Sequence, residues 1–164
     1  MNDLVSRDLN LLNDSLKSIS LKTSSLEVES EGKEYGACSA LINNRKVLIR
    51  TAKVTPKKIG LFVTLWKRDE EGVTRPHHED DEFDLVIINV RANGQSGHFI
   101  FSKQTLIDQK VVSTSKVEGK RGFRVYPSWD EAISTQAKRT QNWQTSYFIR
   151  QGEENESLLK SLLQ

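Results

Sequence analysis

LVIINVRANGQSGHFIFSK, residues Leu85–Lys103, decides the fold. Its first six residues are nearly continuously apolar. A strand with one wet face alternates apolar and polar side chains, so a strand without that alternation is buried on both faces and its sheet is covered on both sides. Asn93-Gly94 is a tight-turn signal, because both residues accept the positive φ that a two-residue hairpin needs. His98–Phe101 then returns as the next strand.

Upstream, Ala37–Ile42 and Lys46–Val54 read as a second hairpin about Asn43-Asn44. Thr55-Pro56 breaks the chain, since proline has no backbone donor. Leu61–Arg68 alternates, with Leu61, Val63 and Leu65 on one face and Phe62, Thr64, Trp66 and Arg68 on the other. Asp69–Asp84 is a polar loop. At the N-terminus, Val5, Leu9, Leu12, Leu16 and Ile19 recur at helical spacing, and Asn2 or Asp3 caps the start. Downstream, Gly122–Tyr126 is a strand ended by Pro127. Ser128 and Glu131 form a capping box that predicts a helix carrying Trp129, Ile133 and Ala137. Trp143 and Tyr147 repeat the spacing. The acidic tail, residues 151–164, holds a small leucine cluster and reads as a short docking helix or a frayed end. Helix, several strands, then helix is an α+β domain around one mixed or mostly antiparallel sheet. The 164 residues fit one such domain, with its N-terminal helix in residues 1–20.

A single cysteine, Cys38, excludes an internal disulfide and fits a reducing compartment. It sits in the apolar run GACSALI with no histidine nearby, the setting of a buried small hydrophobe. No basic region leads into an apolar stretch at the N-terminus, and no window approaches the roughly 18 apolar residues of a membrane span. The sequence therefore predicts a cytoplasmic protein with no membrane partner.

Charge is separated into blocks. Arg45–Arg68 holds eight Lys/Arg and no acid, a charge of +8, while Asp69–Asp84 holds eight acids and one Arg, a charge of −7. The whole chain carries only +2. Separation of this kind gives a surface a direction and favours a polyanion. Lys53, Lys57, Lys58, Lys67 and Arg68 stand with Phe62 and Trp66 among them. Cations neutralise phosphates, and aromatics stack on unpaired bases. A second basic run contains Lys120, Arg121 and Arg124, where Gly119 and Gly122 are read as letting the backbone approach a phosphate. These residues predict a DNA or RNA interface. Solvated faces with core aromatics are the competing structural reading. The acidic loop HHEDDEFD brings His77, His78 and carboxylates close in sequence, but adjacent histidines on an extended chain point apart. The loop reads as solvated, with an electrostatic role: repelling nucleic acid at one edge, or folding onto the basic patch when no ligand is bound.

An incomplete nuclease pattern is also present. Many metal-dependent nucleases set an Asp on one strand and an acid-x-Lys triplet on its neighbour, the acids holding Mg²⁺ and the Lys steadying the attacking water or phosphate charge. Here Asp84 opens LVIINV and Lys103 ends GHFIFSK, but the position two before Lys103 is Phe101. Glu34 is the remaining candidate carboxylate. No cofactor is implied unless this site works, in which case it is Mg²⁺. The sequence contains no P-loop, GxSxG elbow or Cys-x-x-Cys pair.

Several longer runs resemble the MepB protein family. They are Ala52-Lys53-x-Thr55-Pro56-x-Lys58-x-Gly60-x-Phe62-Val63-Thr64-Leu65-Trp66-Lys67-Arg68; Gly97-x-Phe99-x-Phe101-x-Lys103; Gly119 to Pro127 with Trp129-Asp130; and Thr140-Gln141-x-Trp143-Gln144-x-x-Tyr147-Phe148. The resemblance covers most of residues 34–148. The family is named for a bacterial protein encoded beside a multidrug efflux pump and its repressor. The resemblance implies a restriction-endonuclease-like fold, nucleic-acid association, and Asp84 and Lys103 as a remnant or variant nuclease site. Three readings follow: a nucleic-acid-binding module with little or no activity, an active Mg²⁺-dependent endonuclease, or a regulatory protein-interaction domain.

Overall fold

The fold is that of a computed structural model, which describes residues 2–164. Helix α1 (Asp3–Leu16) starts at Asn2, whose Oδ1 accepts from Val5 N at 2.8 Å. Strands β1 (Ser24–Val28), β2 (Cys38–Ile42) and β3 (Arg45–Thr51) follow, then β4 (Lys53–Val54), β5 (Leu61–Thr64), β6 (Lys67–Arg68) and β7 (Thr74–Arg75). The hairpin β8 (Leu85–Ala92) and β9 (Gln95–Ser102) leads into α2 (Lys103–Asp108). Strand β10 (Gly122–Val125), helix α3 (Thr135–Gln144), strand β11 (Phe148–Arg150) and helix α4 (Glu156–Leu163) complete the chain.

Six strands form the main sheet in the order β1-β2-β3-β8-β9-β11. Only the β3–β8 pair is parallel, so the sheet is mixed. A second sheet, β10-β5-β4, is antiparallel, and β6 pairs with β7 alone. Asn43 and Asn44 take φ of 52° and 62°, and Asn93 and Gly94 take 54° and 72°, the double positive φ of tight hairpins.

Strand parity sorts the core into two layers. Val47, Ile49, Leu85, Ile87 and Ile100 face α1 and α4, whose Val5, Leu9, Leu12, Leu16, Leu159 and Leu163 cover them. Leu48, Val86, Ile88, Phe99 and Phe101 face the small sheet, meeting Leu61, Val63, Phe123 and Val125. LVIINV is buried along its whole length because helices cover one side of it and a sheet the other. The C-terminal leucines dock as a helix rather than fray.

Several boundaries differ from the sequence reading. Lys46–Val54 is not one strand. It breaks at Ala52, whose N–H donates to Asn89 O at 2.9 Å, and β4 leaves for the small sheet. Leu61–Arg68 likewise divides into β5 and β6. The predicted capping box is not formed. Asp130 N donates to Pro127 O at 3.0 Å, and Gln141 Nε2 donates to the carbonyls of both Pro127 and Asp130, so residues 127–130 are pinned as a turn. Ser134 caps α3 instead, accepting from Ala137 N at 3.1 Å. Trp129 packs edge-on against Phe148, and Ile133 is exposed. β1, β11 and α2 had no reading in the sequence, and β7, which pairs with β6, lies in the stretch read as a polar loop.

Candidate nucleic-acid interface

A cleft of about 710 Å³ opens where β1, β2 and β3 meet β6 and the acidic loop; Glu29, Arg50, Trp66, Lys67, Arg68 and His77 are among its lining residues. Parity builds its floor: Arg50 shares the β3 face of Leu48 and points toward the small sheet. Its side chain is only 4% exposed. It donates to Glu29 Oε2 at 2.9 Å and to Ile49 O at 2.9 Å. Burial pulls its pKa down, and the neighbouring Glu29 carboxylate works against that.

Trp66 sits between β5 and β6. With Leu61, Val63 and Leu65 buried in the core, its indole is left half-buried at the cleft, and the Arg68 guanidinium lies 5.4 Å from its ring centroid. Arg68 is gripped by both oxygens of Glu31 at 2.9 and 2.8 Å. That hydrogen-bonded pair lowers the Glu31 pKa and raises that of Arg68. Lys67 lies 3.8 Å from Asp81. Burial pushes the Asp81 carboxyl up, but hydrogen bonds from Arg75 and the His78 backbone, with the charge of Lys67, hold it well below the usual range.

The remaining predicted cations divide into two groups. Lys53 is 3.3 Å from Glu34 and lies over the Tyr35 ring. Arg121 donates to Thr74 O, and Arg124 donates to Thr55 Oγ1 at 2.6 Å and to the carbonyls of Ile59 and Gly60. These two arginines tie loops to β10. Lys57, Lys58 and Lys120 are exposed and form no ion pair among the described residues. The glycines of the second basic run serve the protein's own packing and not an approach to phosphate. A Cβ at Gly119 would overlap the Val111 carbonyl, and one at Gly122 would lie 2.6 Å from the Phe62 ring.

Asp84, Lys103 and Glu34 do not converge. Asp84 Oδ2 accepts from Lys46 N at 2.8 Å, extending the β3–β8 ladder. Lys103 Nζ donates to the carbonyls of Glu79 and Asp81 at 3.0 and 2.5 Å, clamping the acidic loop across the Phe83 ring. Asp84 and Lys103 meet through backbone alone, Lys103 N donating to Asp84 O at 3.0 Å. Glu34 is occupied by Lys53. Phe101 is fully buried among Phe99, Phe123, Trp143 and Tyr147. The slot that an acid would fill is the middle of the aromatic core.

The two histidines do point apart. His78 is half-buried and its Nδ1 accepts from Asp80 N. His77 is 7% exposed, packs edge-on to Phe83, and leaves Nε2 without a hydrogen-bond partner. Burial first, and then the charge of Arg50, lowers its pKa to about 4. Among the described residues no three His, Cys, Asp or Glu side chains are grouped to hold a metal ion. Cys38 is buried, its thiol pushed up to about 12 by that burial, so it is inert. Sequence reasoning did not single out Glu29, Glu31, Arg50 or Asp81. Alternation of acids at 27, 29 and 31 was the one available signal.

A family model described as MepB-like matches residues 29–150. The chain belongs to the MepB-like family. A solved structure titled "Crystal Structure of MepB" matches with a TM-score of 0.79 and 29% sequence identity, over 94% of this chain and 100% of that one. No curated protein matches the chain. The matched span of this MepB-like chain contains the cleft residues from Glu29 to Phe83, with Glu27 and Val28 just before it, while α1 and α4, which cover the opposite face of the main sheet, lie wholly outside it. No helix is long and apolar enough to cross a membrane among the described residues.

Proposed function

We propose that this MepB-like chain binds unpaired DNA or RNA at the cleft, with a base stacked on Trp66 and phosphates facing Lys46, Lys67 and Arg68. The observation that carries this reading is the half-exposed indole of Trp66, held at the rim by a core-facing Leu61/Val63/Leu65 row and flanked by two cations. A half-buried indole with the Arg68 guanidinium over its ring offers an aromatic surface beside positive charge, on which any base can stack. Affinity should fall linearly in log K against log salt, by about 0.7 for each phosphate contacted on a single strand. Trp66→Ala should weaken single-strand binding by about 1–3 kcal/mol while lowering stability by only about 1 kcal/mol, measured by fluorescence anisotropy and a denaturant melt. Binding that stays flat across a salt series, or a melt collapsed by the substitution, overturns the reading.

The module is proposed to work without cleaving. A buried aromatic replaces the acid beside Lys103, and the side chains of Asp84 and Lys103 have separate structural tasks. Highly purified protein with Mg²⁺ should leave labelled single- and double-stranded substrates intact. Cleavage that Asp84→Ala abolishes would show an active endonuclease instead.

A further inference from the structure

The connector from β1 to β2 lays carboxylates across the basic strands at short intervals. Glu29 holds Arg50 on β3, Glu31 holds Arg68 on β6, and Glu34 holds Lys53 on β4. Three acids of one short segment thus meet three cations from three different strands. Chemically this is a row of oxyanions on a row of cations, the arrangement a phosphate chain would make there.

The three pairs are unequal. Arg50 is 4% exposed and also donates to backbone carbonyls, so its pair with Glu29 anchors the start of the connector. The other two pairs are open to solvent, 45% and 47% exposed for Arg68 and Glu31, and 42% and 79% for Lys53 and Glu34. Exposed pairs hold weakly and are screened by salt. Between the anchor and β2 the segment is a self-contained turn. Gly32 and Gly36 take φ of 71° and 56°, and Gly32 O accepts from both Tyr35 N and Ala37 N. Tyr35, half-buried and edge-on to the Phe62 ring at 6.4 Å, ties the end of the turn to the core, so lifting the turn uncovers that ring.

We infer that residues 30–36 are a strap that occupies the phosphate path of the ligand, so that the ligand is a contiguous polyanion able to replace Glu31 and Glu34 together. This inference rests on the nucleic-acid reading above. A lone anion replaces one carboxylate and leaves the other in place, whereas linked phosphates replace both in a single binding event.

The test is a variant carrying Glu31→Gln and Glu34→Gln, titrated with labelled oligothymidylate at low salt. Its comparison is a Glu153→Gln, Glu156→Gln variant with the same change in net charge, placed in the tail that covers the opposite sheet face. The strap variant should bind about 3- to 10-fold more tightly than the comparison variant. In the wild-type chain, hydrogen exchange at the Tyr35 and Ala37 amides should accelerate when the oligonucleotide binds. Equal or weaker binding by the strap variant, with the wild type still binding, overturns the strap and leaves the nucleic-acid reading standing. If inorganic phosphate displaces the strap as readily as the oligonucleotide does, the requirement for a contiguous polyanion is wrong. If none of the three proteins binds, both readings fall.

Discussion

Phe101→Ala should cost about 3–5 kcal/mol of stability, the range for truncating a fully buried large aromatic. Its ring meets Phe99 at 5.6 Å, Trp143 at 5.3 Å and Tyr147 at 5.9 Å between centroids, so truncation opens a cavity where β9, α3 and the segment after α3 join. The site cannot collapse easily, because Phe99 is itself held against Phe148 at 4.6 Å. Phe101→Glu, which would restore an acid-x-Lys triplet, should be worse still: it buries a charge with no cation in reach. A urea melt measures both. A loss under about 1 kcal/mol for the alanine variant would mean that the aromatic cluster does not hold the small sheet to the large one. A folded, cleaving glutamate variant would revive the nuclease reading. The contrast with Trp66 is the useful one. Phe101 lies on β9 and Trp66 just past the end of β5, both in alternating runs, yet parity sends one to the core and leaves the other at a cleft.

Much of this frame is legible in the sequence. The uninterrupted run Leu85–Val90 demands cover on both faces, and Asn43-Asn44 and Asn93-Gly94 mark hairpins by a backbone requirement that few residues meet. The period of Val5 to Leu16 gives the helix that provides one cover. The capping box failed because a side chain 11 to 14 residues later, Gln141, claims the carbonyls of that turn, and local pattern does not contain such a donor. The strands that went unread, β1 and β11, lie at the edges of the sheet, where one neighbour is missing and apolar alternation is weakest. The basic segment was legible as composition but not as potential. Arg50 and Glu29 are 21 residues apart, and Arg68 and Glu31 are 37. The pairing of β1 with β2 and β2 with β3 brings the first two together, and the second two meet because β6 lies beside the connector that follows β1. Of the +8 block in the sequence, Arg50, Lys53, Lys67 and Arg68 are held in ion pairs in the fold, and its reach toward a ligand depends on which of those pairs open.

Acid should weaken the protein before its carboxylates titrate. His98 is 2% exposed on β9, opposite Asn89 on β8, with its Nδ1 2.8 Å from Asn89 Oδ1 and its Nε2 without a partner. Burial lowers its pKa to about 4, and His77 is lowered to about 4 in the same way. Both rings are neutral in the folded chain, while in the unfolded chain each takes a proton near pH 6.5. Between those values the unfolded state binds more protons, so stability is full above about pH 6.5 and falls as pH drops toward 4, by roughly 1.4 kcal/mol per pH unit for each histidine. The two together should remove about 6 kcal/mol by pH 4, a large part of the roughly 5–15 kcal/mol typical of a domain. Urea melts at half-unit steps from pH 7.5 to pH 4 measure the slope. His98→Gln should halve it, because the glutamine amide does not titrate. A slope near zero in the wild-type chain would mean that at least one ring accepts its proton inside the fold. For His77 that proton would find Asp81, 3.7 Å from Nδ1, on the wall of the cleft.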